Sequence, residues 1–394
     1  MGRARTANPT GSYPDTQTHS RPIPRPSILI PLIPALGQPL LFFSDGKGLV
    51  RSRSRKAIAF MYRIYKPLAS LPGIVITAAA AIAFTSAAAH AVVLQPNTNY
   101  DGQDLSSGSY LNQNGSFSSF INTNLSIAYL RFANLSNANL SNANLSRADL
   151  VFADISTANL SSANLFNASL GGATLTNATL TNADLRNTGS GAITGDQLRS
   201  ASNITGVNLS GNNMTGYTLT GLNLSNANLS SANLSNAIFS TNTNSGHANL
   251  TNANLVNADL RNTNIVQAIT SAQLRSASNI TGVNLSGNIL QLARFNDLNL
   301  SSINFTNTDL THAYFVNANL TNVIFTGAIL ANAELRNTGT GAITNAQLRS
   351  AAYVSGVSLS GNNLTNFDMS GLDLTYADLS TANLSSANLS SANL

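Results

Sequence analysis

No cysteine and no tryptophan occur anywhere in the chain, and no lysine follows Lys66. The lack of cysteine excludes disulfides and thiolate metal sites. Charge is also scarce, at 9% of residues. What charge there is divides unevenly. Residues 1–91 hold eleven of the twenty Lys and Arg and two acids, whereas residues 92–394 hold nine Arg and thirteen acids. The basic balance belongs to the N-terminal part, so overall charge gives no ground for nucleic-acid binding by the remainder.

Residues 1–60 carry Pro22, Pro24, Pro26, Pro31 and Pro34 and the basic run 51–56. Prolines this dense are incompatible with helix or sheet interiors, so a disordered leader is expected. From Met61 the order is a short basic segment to Lys66, an apolar stretch from Ile74 to Phe84, and Ala89-His90-Ala91. That is the order of a secretory signal, with a basic start, an apolar centre and a small-x-small cleavage site. The expected products are translation from Met61, with residues 1–60 an over-extended gene model, and a mature chain from about Val92. The competing reading is a retained anchor, in which residues 68–91 alone touch a membrane; the stretch is short for a span of ~20 residues.

The rest of the sequence repeats every five residues. A large apolar residue stands at 120, 125, 130, 135 and onward to 185, and the unit reads as in Ala138-Asn139-Leu140-Ser141-Asn142. The register resumes from Leu209, Leu250, Leu285 and Leu359, for about 43 units in all. Five fits neither the 3.6 period of a helix nor the 2 of a flat strand. It fits one side of a coil, an extended piece followed by a corner. Leu and the Ala two residues before it face inward, and Asn, Asp and Ser serve the corner.

This pattern resembles the pentapeptide-repeat family over most of residues 120–394. The resemblance implies an all-β fold, a right-handed quadrilateral β-helix with four units per coil. About eleven coils would make a rod ~50 Å long at the ~4.8 Å strand spacing. Residues 92–119 are then a lead-in or cap. Two features depart from the family pattern: the last position is usually Asn or Ser where many members use Gly, and long blocks interrupt the run.

Three interruptions, about 186–208, 261–284 and 336–358, copy one another. Leu185-Arg-Asn-Thr recurs at Leu260 and Leu335, and Ile193, Ile269 and Ile343 each begin Ile-Thr-x-x-Gln-Leu-Arg-Ser-Ala. Thr-x-x-Gln is a capping box, which predicts short helices over 195–202, 271–278 and 345–352. Six of the nine arginines after residue 91 lie here: Arg186, Arg199, Arg261, Arg275, Arg336 and Arg349. They are either a ladder of anion- or glycan-binding points or solvated cover for breaks in the coil. The second reading is the more economical.

The sequence offers no catalytic, cofactor-binding or metal-ligating residue to nominate. His247 and His312 stand in different repeats without ligand spacing. Asp149, Asp184, Asp259, Asp309 and Asp378 precede an apolar residue where Asn also occurs, so the repeat accounts for them. Asp101-Gly-Gln-Asp104 is too short for a calcium loop. The functional expectation is a non-catalytic, exported structural or interaction solenoid. Its polar Asn/Ser/Thr surface would meet an envelope or extracellular protein or polysaccharide, or other copies of itself. The family also includes mimics of duplex DNA that inhibit a type II topoisomerase. Thin acidic charge and export disfavour that alternative and nucleic-acid partners generally. An ice or polysaccharide surface binder is a further alternative, although no side shows a pure Thr array. The run stops within the repeat at Leu394, which reads as a truncated gene model.

Overall fold

The computed structural model describes residues 43–44, 49–50, 92–186, 193–240, 246–261, 269–336 and 341–394. The chain forms two units, Met1–Ser86 and Ala87–Leu394. In the first, the described residues are a two-residue antiparallel ladder, β1 (Phe43–Ser44) with β2 (Leu49–Val50). The remaining leader, the signal segment and the apolar stretch at 74–84 lie outside the described residues. Among the described residues, no helix is long and apolar enough to cross a membrane.

The second unit is a four-sided coil. Its strands are single-residue parallel bridges, each pairing with the residue one coil on, as in Asn139↔Asn159 and Asn144↔Asn164. Four columns of bridges run along the coil. The first side passes through Asn99, Ser119 and Asn139; the second through Asp104, Asn124 and Asn144; the third through Ser109, Tyr129 and Asp149; the fourth through Asn114, Asn134 and Asp154. Each strand uses its N–H and C=O groups on both neighbours: Asn144 N–H donates to Thr123 O at 2.9 Å, and Leu145 N–H donates to Asn164 O at 2.7 Å.

The corner explains the repeat. Ala143 N–H donates to Leu140 O at 3.0 Å, and Asn142, third of the four turn residues, has φ of 56°. Negative φ at the second position and positive φ at the third define a type II turn, which favours Gly or Asn. Asn in place of the family's Gly is thus the other residue that tolerates this conformation. A second Asn closes the corner from outside: Asn144 Oδ1 accepts from Ser146 N–H at 3.2 Å. Inside, Leu140, Leu145, Ala138 and Ala143 are completely or almost completely buried. Burial of each Leu contributes roughly 1.5–3 kcal/mol before chain entropy. Between residues 295 and 325 the inward residue is often Phe. Phe305 stacks on Phe325 at 5.7 Å, and Phe295 on Phe315 at 5.2 Å.

The coil begins before the Leu period does. Tyr100, Leu105 and Tyr110 are buried at the inward position, and Asn99 already bridges Ser119. The expected lead-in over 92–119 is therefore itself coiled. Tyrosines and Gly115 hid its register. The cover over this first coil is short. Leu94 is buried, its N–H donates to Gln113 Oε1, and Gln95 N–H donates to Tyr100 Oη. Burial, followed by the charge of Asp104, pushes the Tyr110 hydroxyl up to about 12. At the other end Leu379, Leu384 and Leu389 are partly buried and Leu394 is exposed.

Ile127 sits at a turn position with φ of 58°. A β-branched residue there is strained by roughly 1–2 kcal/mol. Ile127→Asn is expected to raise the thermal midpoint. Leu140→Ala, which empties a fully packed inward site, is expected to destabilise by about 2–5 kcal/mol in denaturant titrations.

Candidate functional site: the three helical inserts

Each insert places one short helix where a side of the coil would be. Helix α1 spans Gly195–Ser200, α2 Ser271–Ser276 and α3 Asn345–Ser350. All three carry the capping box expected from Thr-x-x-Gln. At α1, for example, Thr194 Oγ1 accepts from Gln197 N–H at 3.1 Å, and Gln197 Oε1 accepts from Thr194 N–H at 2.8 Å. The helices end two residues earlier than the sequence suggested, because Ala201, Ala277 and Ala351 are already extended. Bridging resumes at once, with Thr179↔Asn203, Asn254↔Asn279 and Ile329↔Tyr353. Gly206, Gly282 and Gly356 then turn the chain back at φ of 72°, 70° and 68°. A Cβ there would lie about 2 Å from the Asn182, Asn257 or Asn332 side-chain oxygen, which glycine leaves in place.

A helix cannot continue the bridge ladder, and the block's polar side chains take over its hydrogen bonds. Toward the preceding coil, Gln197 Nε2 donates to Leu170 O and Ala173 O, both at 2.8 Å. Gln273 serves Phe239 O and Ala248 O in the same way, and Gln347 serves Leu320 O and Val323 O. Toward the following coil, Arg199 donates to Thr218 O, Arg275 to Arg294 O and Asn296 O, and Arg349 to Asp368 O and Ser370 O. Asn212, Asn288 and Asn362, buried where an inward Ala would stand, donate to Leu185 O, Leu260 O and Leu335 O.

The other three block arginines close ion pairs two residues back. Arg186 pairs with Asp184 and Arg261 with Asp259, both at 2.7 Å, and Arg336 pairs with Glu334. Hydrogen bonding to those carboxylates raises the Arg186 and Arg261 guanidinium pKa still further. All six arginines are thus used within the coil. Nor do they form one ladder: α1 lies on the fourth side, α2 on the first and α3 on the third, judged by the carbonyls their Gln and Arg reach.

The acidic and histidine positions follow the repeat. Asp149, Asp184, Asp259, Asp309 and Asp378 each accept from the N–H two residues on, as Asn does. Asp101 accepts from Ser119 Oγ and Ile121 N–H, and Asp104 from Ser106 N–H and Asn124 Nδ2. His312 occupies an ordinary left-handed corner, and His247 is exposed beside α2. Among the described residues no group of His, Asp and Glu could hold a metal ion.

The parallel ladder, the inward Leu and the left-handed corner every five residues agree with a family model for pentapeptide repeats. It matches residues 123–161, 158–188, 202–240, 241–269, 303–338 and 354–394, more than half of the chain. This chain belongs to the pentapeptide-repeat family. Solved structures of the family align with it. HetL, involved in heterocyst differentiation regulation in the cyanobacterium Nostoc sp. strain PCC 7120, is 20% identical; the alignment covers 79% of this chain and 94% of HetL, with a TM-score of 0.23. Rfr23 of the cyanobacterium Cyanothece 51142 is 31% identical over 30% of this chain and 58% of its own, with a TM-score of 0.19. QnrB1, a plasmid-mediated fluoroquinolone resistance protein, is 16% identical over 72% and 88%, with a TM-score of 0.19. No curated protein matches the chain.

Removing the insert's glutamine should therefore be costly. Gln347→Met leaves Val323 O without its donor, removes the second donor of Leu320 O, which keeps its corner bond from Val323 N–H, and opens the capping box, a loss of about 1–3 kcal/mol. It should also speed amide exchange in α3. Arg349→Met, at an exposed site, should lose less than half of that. Acid should loosen the last coils too. Hydrogen bonds from Thr375 to Asp373 and from Ser380 to Asp378 hold both carboxyls below their ordinary range. The stability they add is complete above the unfolded carboxyl value, ~3.9, and fades as pH falls through the lower folded values. A double Asp373→Asn, Asp378→Asn variant should show a shallower acid limb in thermal melts recorded below about pH 4.

Proposed function

We propose that this chain is a non-catalytic interaction rod, a right-handed quadrilateral β-helix exported from the cell, whose polar surface binds an uncharged extracellular or envelope polysaccharide. One observation carries the reading. Between Ser119 and Asn252 the described residues of the first side and its two corners include no Asp, Glu, Lys or Arg and are chiefly Ser, Thr and Asn. Asn and Thr occupy its bridge positions from Asn139 through Asn159, Thr179, Asn203 and Asn223 to Asn249. The other sides carry charge over the same stretch: Asp184 and Arg186 on the second, Arg131 and Asp149 on the third, Asp154 and Arg199 on the fourth. A flat, regular field of hydroxyl and amide groups suits hydroxyl-rich polymers, and solenoids offer such extended surfaces. It offers no acidic density with which to imitate phosphate charge. The signal-like order from Met61 to Ala91 supports export.

The test combines location and binding. Native protein from fractionated cells should begin near Val92 and appear in the envelope or medium. It should also co-sediment with an insoluble neutral glucan in a salt-independent manner. A cytosolic chain starting upstream of Met61 would overturn export, and failure to bind any neutral polymer would overturn the partner.

A further inference from the structure

The bridge ladder breaks three times between described, non-helical strands, and each break directly follows an insert. Asn203 bridges Thr179 behind it but not Asn223 ahead; Asn279 bridges Asn254 but not Asn299; Tyr353 bridges Ile329 but not Asp373. Every other such pair along the coil is bridged. At the first break no backbone hydrogen bond joins strand 202–204 to strand 221–223. The N–H groups of Ile204 and Asn223 and the C=O groups of Ser202 and Asn223 have no backbone partner. All three breaks share one feature of the following coil: Leu222 stands where the repeat has Ala, as do Leu298 and Leu372 at the other two.

The first break opens into a cavity of about 500 Å³. Ile204 and Leu222 line its floor, and Arg199, Asn203, Thr220 and Asn223 its rim. It lies where α1 meets the first side. Both of its ends are closed. Arg199 is held on Thr218 O at one, and Gly206 N–H donates to Ser225 O at 2.8 Å at the other. The cleft therefore combines an apolar floor, backbone donors and acceptors without backbone partners, and a size within the usual range for small-molecule sites; across it runs one long side-chain bond, Asn223 Nδ2 to Thr205 Oγ1 at 3.4 Å. Its closed ends exclude a peptide running through as an added strand, and its one charged lining residue, Arg199, is already held on Thr218 O and faces Asp196 at 4.0 Å, which disfavours a charged ligand. The matching breaks differ: Asp373 flanks the third, and Arg294 and Asp297 stand near the second.

We infer that the open seam between Asn203 and Asn223 is a binding site for one or two units of an uncharged saccharide. The sugar's hydroxyls would satisfy the vacant Ile204 and Asn223 N–H groups, and its CH face would rest on Ile204 and Leu222. The inference rests on the proposed polysaccharide-binding role and gives it a location.

Hydrogen–deuterium exchange of the full chain tests it, with cellobiose, xylobiose and N,N′-diacetylchitobiose as neutral probes, each at about 10 mM to reveal millimolar affinity, and trialanine as the peptide probe. Without ligand, segments 201–206 and 220–224 should exchange at least ten-fold faster than 139–145. At least one disaccharide should slow both. Asn223→Phe, which fills the cleft, should weaken that disaccharide at least ten-fold. Asn228→Phe, on the second side where the ladder is closed, should leave it unchanged. If Asn223→Phe fails to fold, Asn203→Ala takes its place and should weaken binding at least three-fold. Protection by trialanine instead, or by no disaccharide, overturns the inference. Co-sedimentation with a neutral glucan without protection at the seam would refute this site while leaving the surface reading intact. Loss of both would remove the reading itself.

Discussion

The whole architecture depends on one turn. In each unit the carbonyl of the inward Leu accepts from the N–H three residues on, and the residue between them must take positive φ. That corner fixes the direction of every side, so four of them return the chain above its starting point. The inward Leu then meets its counterpart one coil away, and the outward Asn can donate to the Asn above, as Asn164 does to Asn144 at 3.3 Å. Packing, ladder and surface array all follow from a local torsional choice repeated every five residues. Asn serves twice, once because it tolerates the left-handed region and once because its side-chain oxygen captures the next N–H.

The inserts show what the ladder requires when it is interrupted. A helix satisfies its own backbone but leaves the coils on either side without partners. Gln answers the coil behind, Arg the coil ahead, and a buried Asn the site where the chain departs. These residue types carry the donors that the missing strand would have supplied, at the reach each gap demands. The arginines that look like a ladder of ligand contacts in the sequence are spent on carbonyls and carboxylates of the coil itself. What is left over is the strand just past each helix, whose far edge has no backbone partner among the described residues.

Much of this was legible in the residues. The period of five, the inward Leu, the capping boxes and the structural use of Asp before Leu could all be read directly, because each is a local rule. Three things could not. The coil at 95–119 was hidden because Tyr100 and Tyr110 fill inward sites and Gly115 leaves one empty. The open seams depend on pairing across a whole coil, although Leu222, Leu298 and Leu372 in place of Ala were a signal. The directions of the inserts depend on path length around the coil. Asn223 bridges Asn249, six residues beyond the ordinary spacing, so equal sequence intervals between blocks do not mean equal angles.

That last feature makes the number of sides, rather than sequence length, the measure of azimuth. Four extra residues around α1 are absorbed within one coil, because the ladder on the next side closes as before. Adding or deleting a whole pentapeptide would leave the core register intact but rotate everything downstream by a quarter turn. A surface feature on such a rod can therefore be re-aimed by simple expansion or contraction of the repeat, with no new contacts required. The three near-identical inserts face three different sides although Leu185, Leu260 and Leu335, which open them, stand 75 residues apart, because the extra residues absorbed between them differ in number.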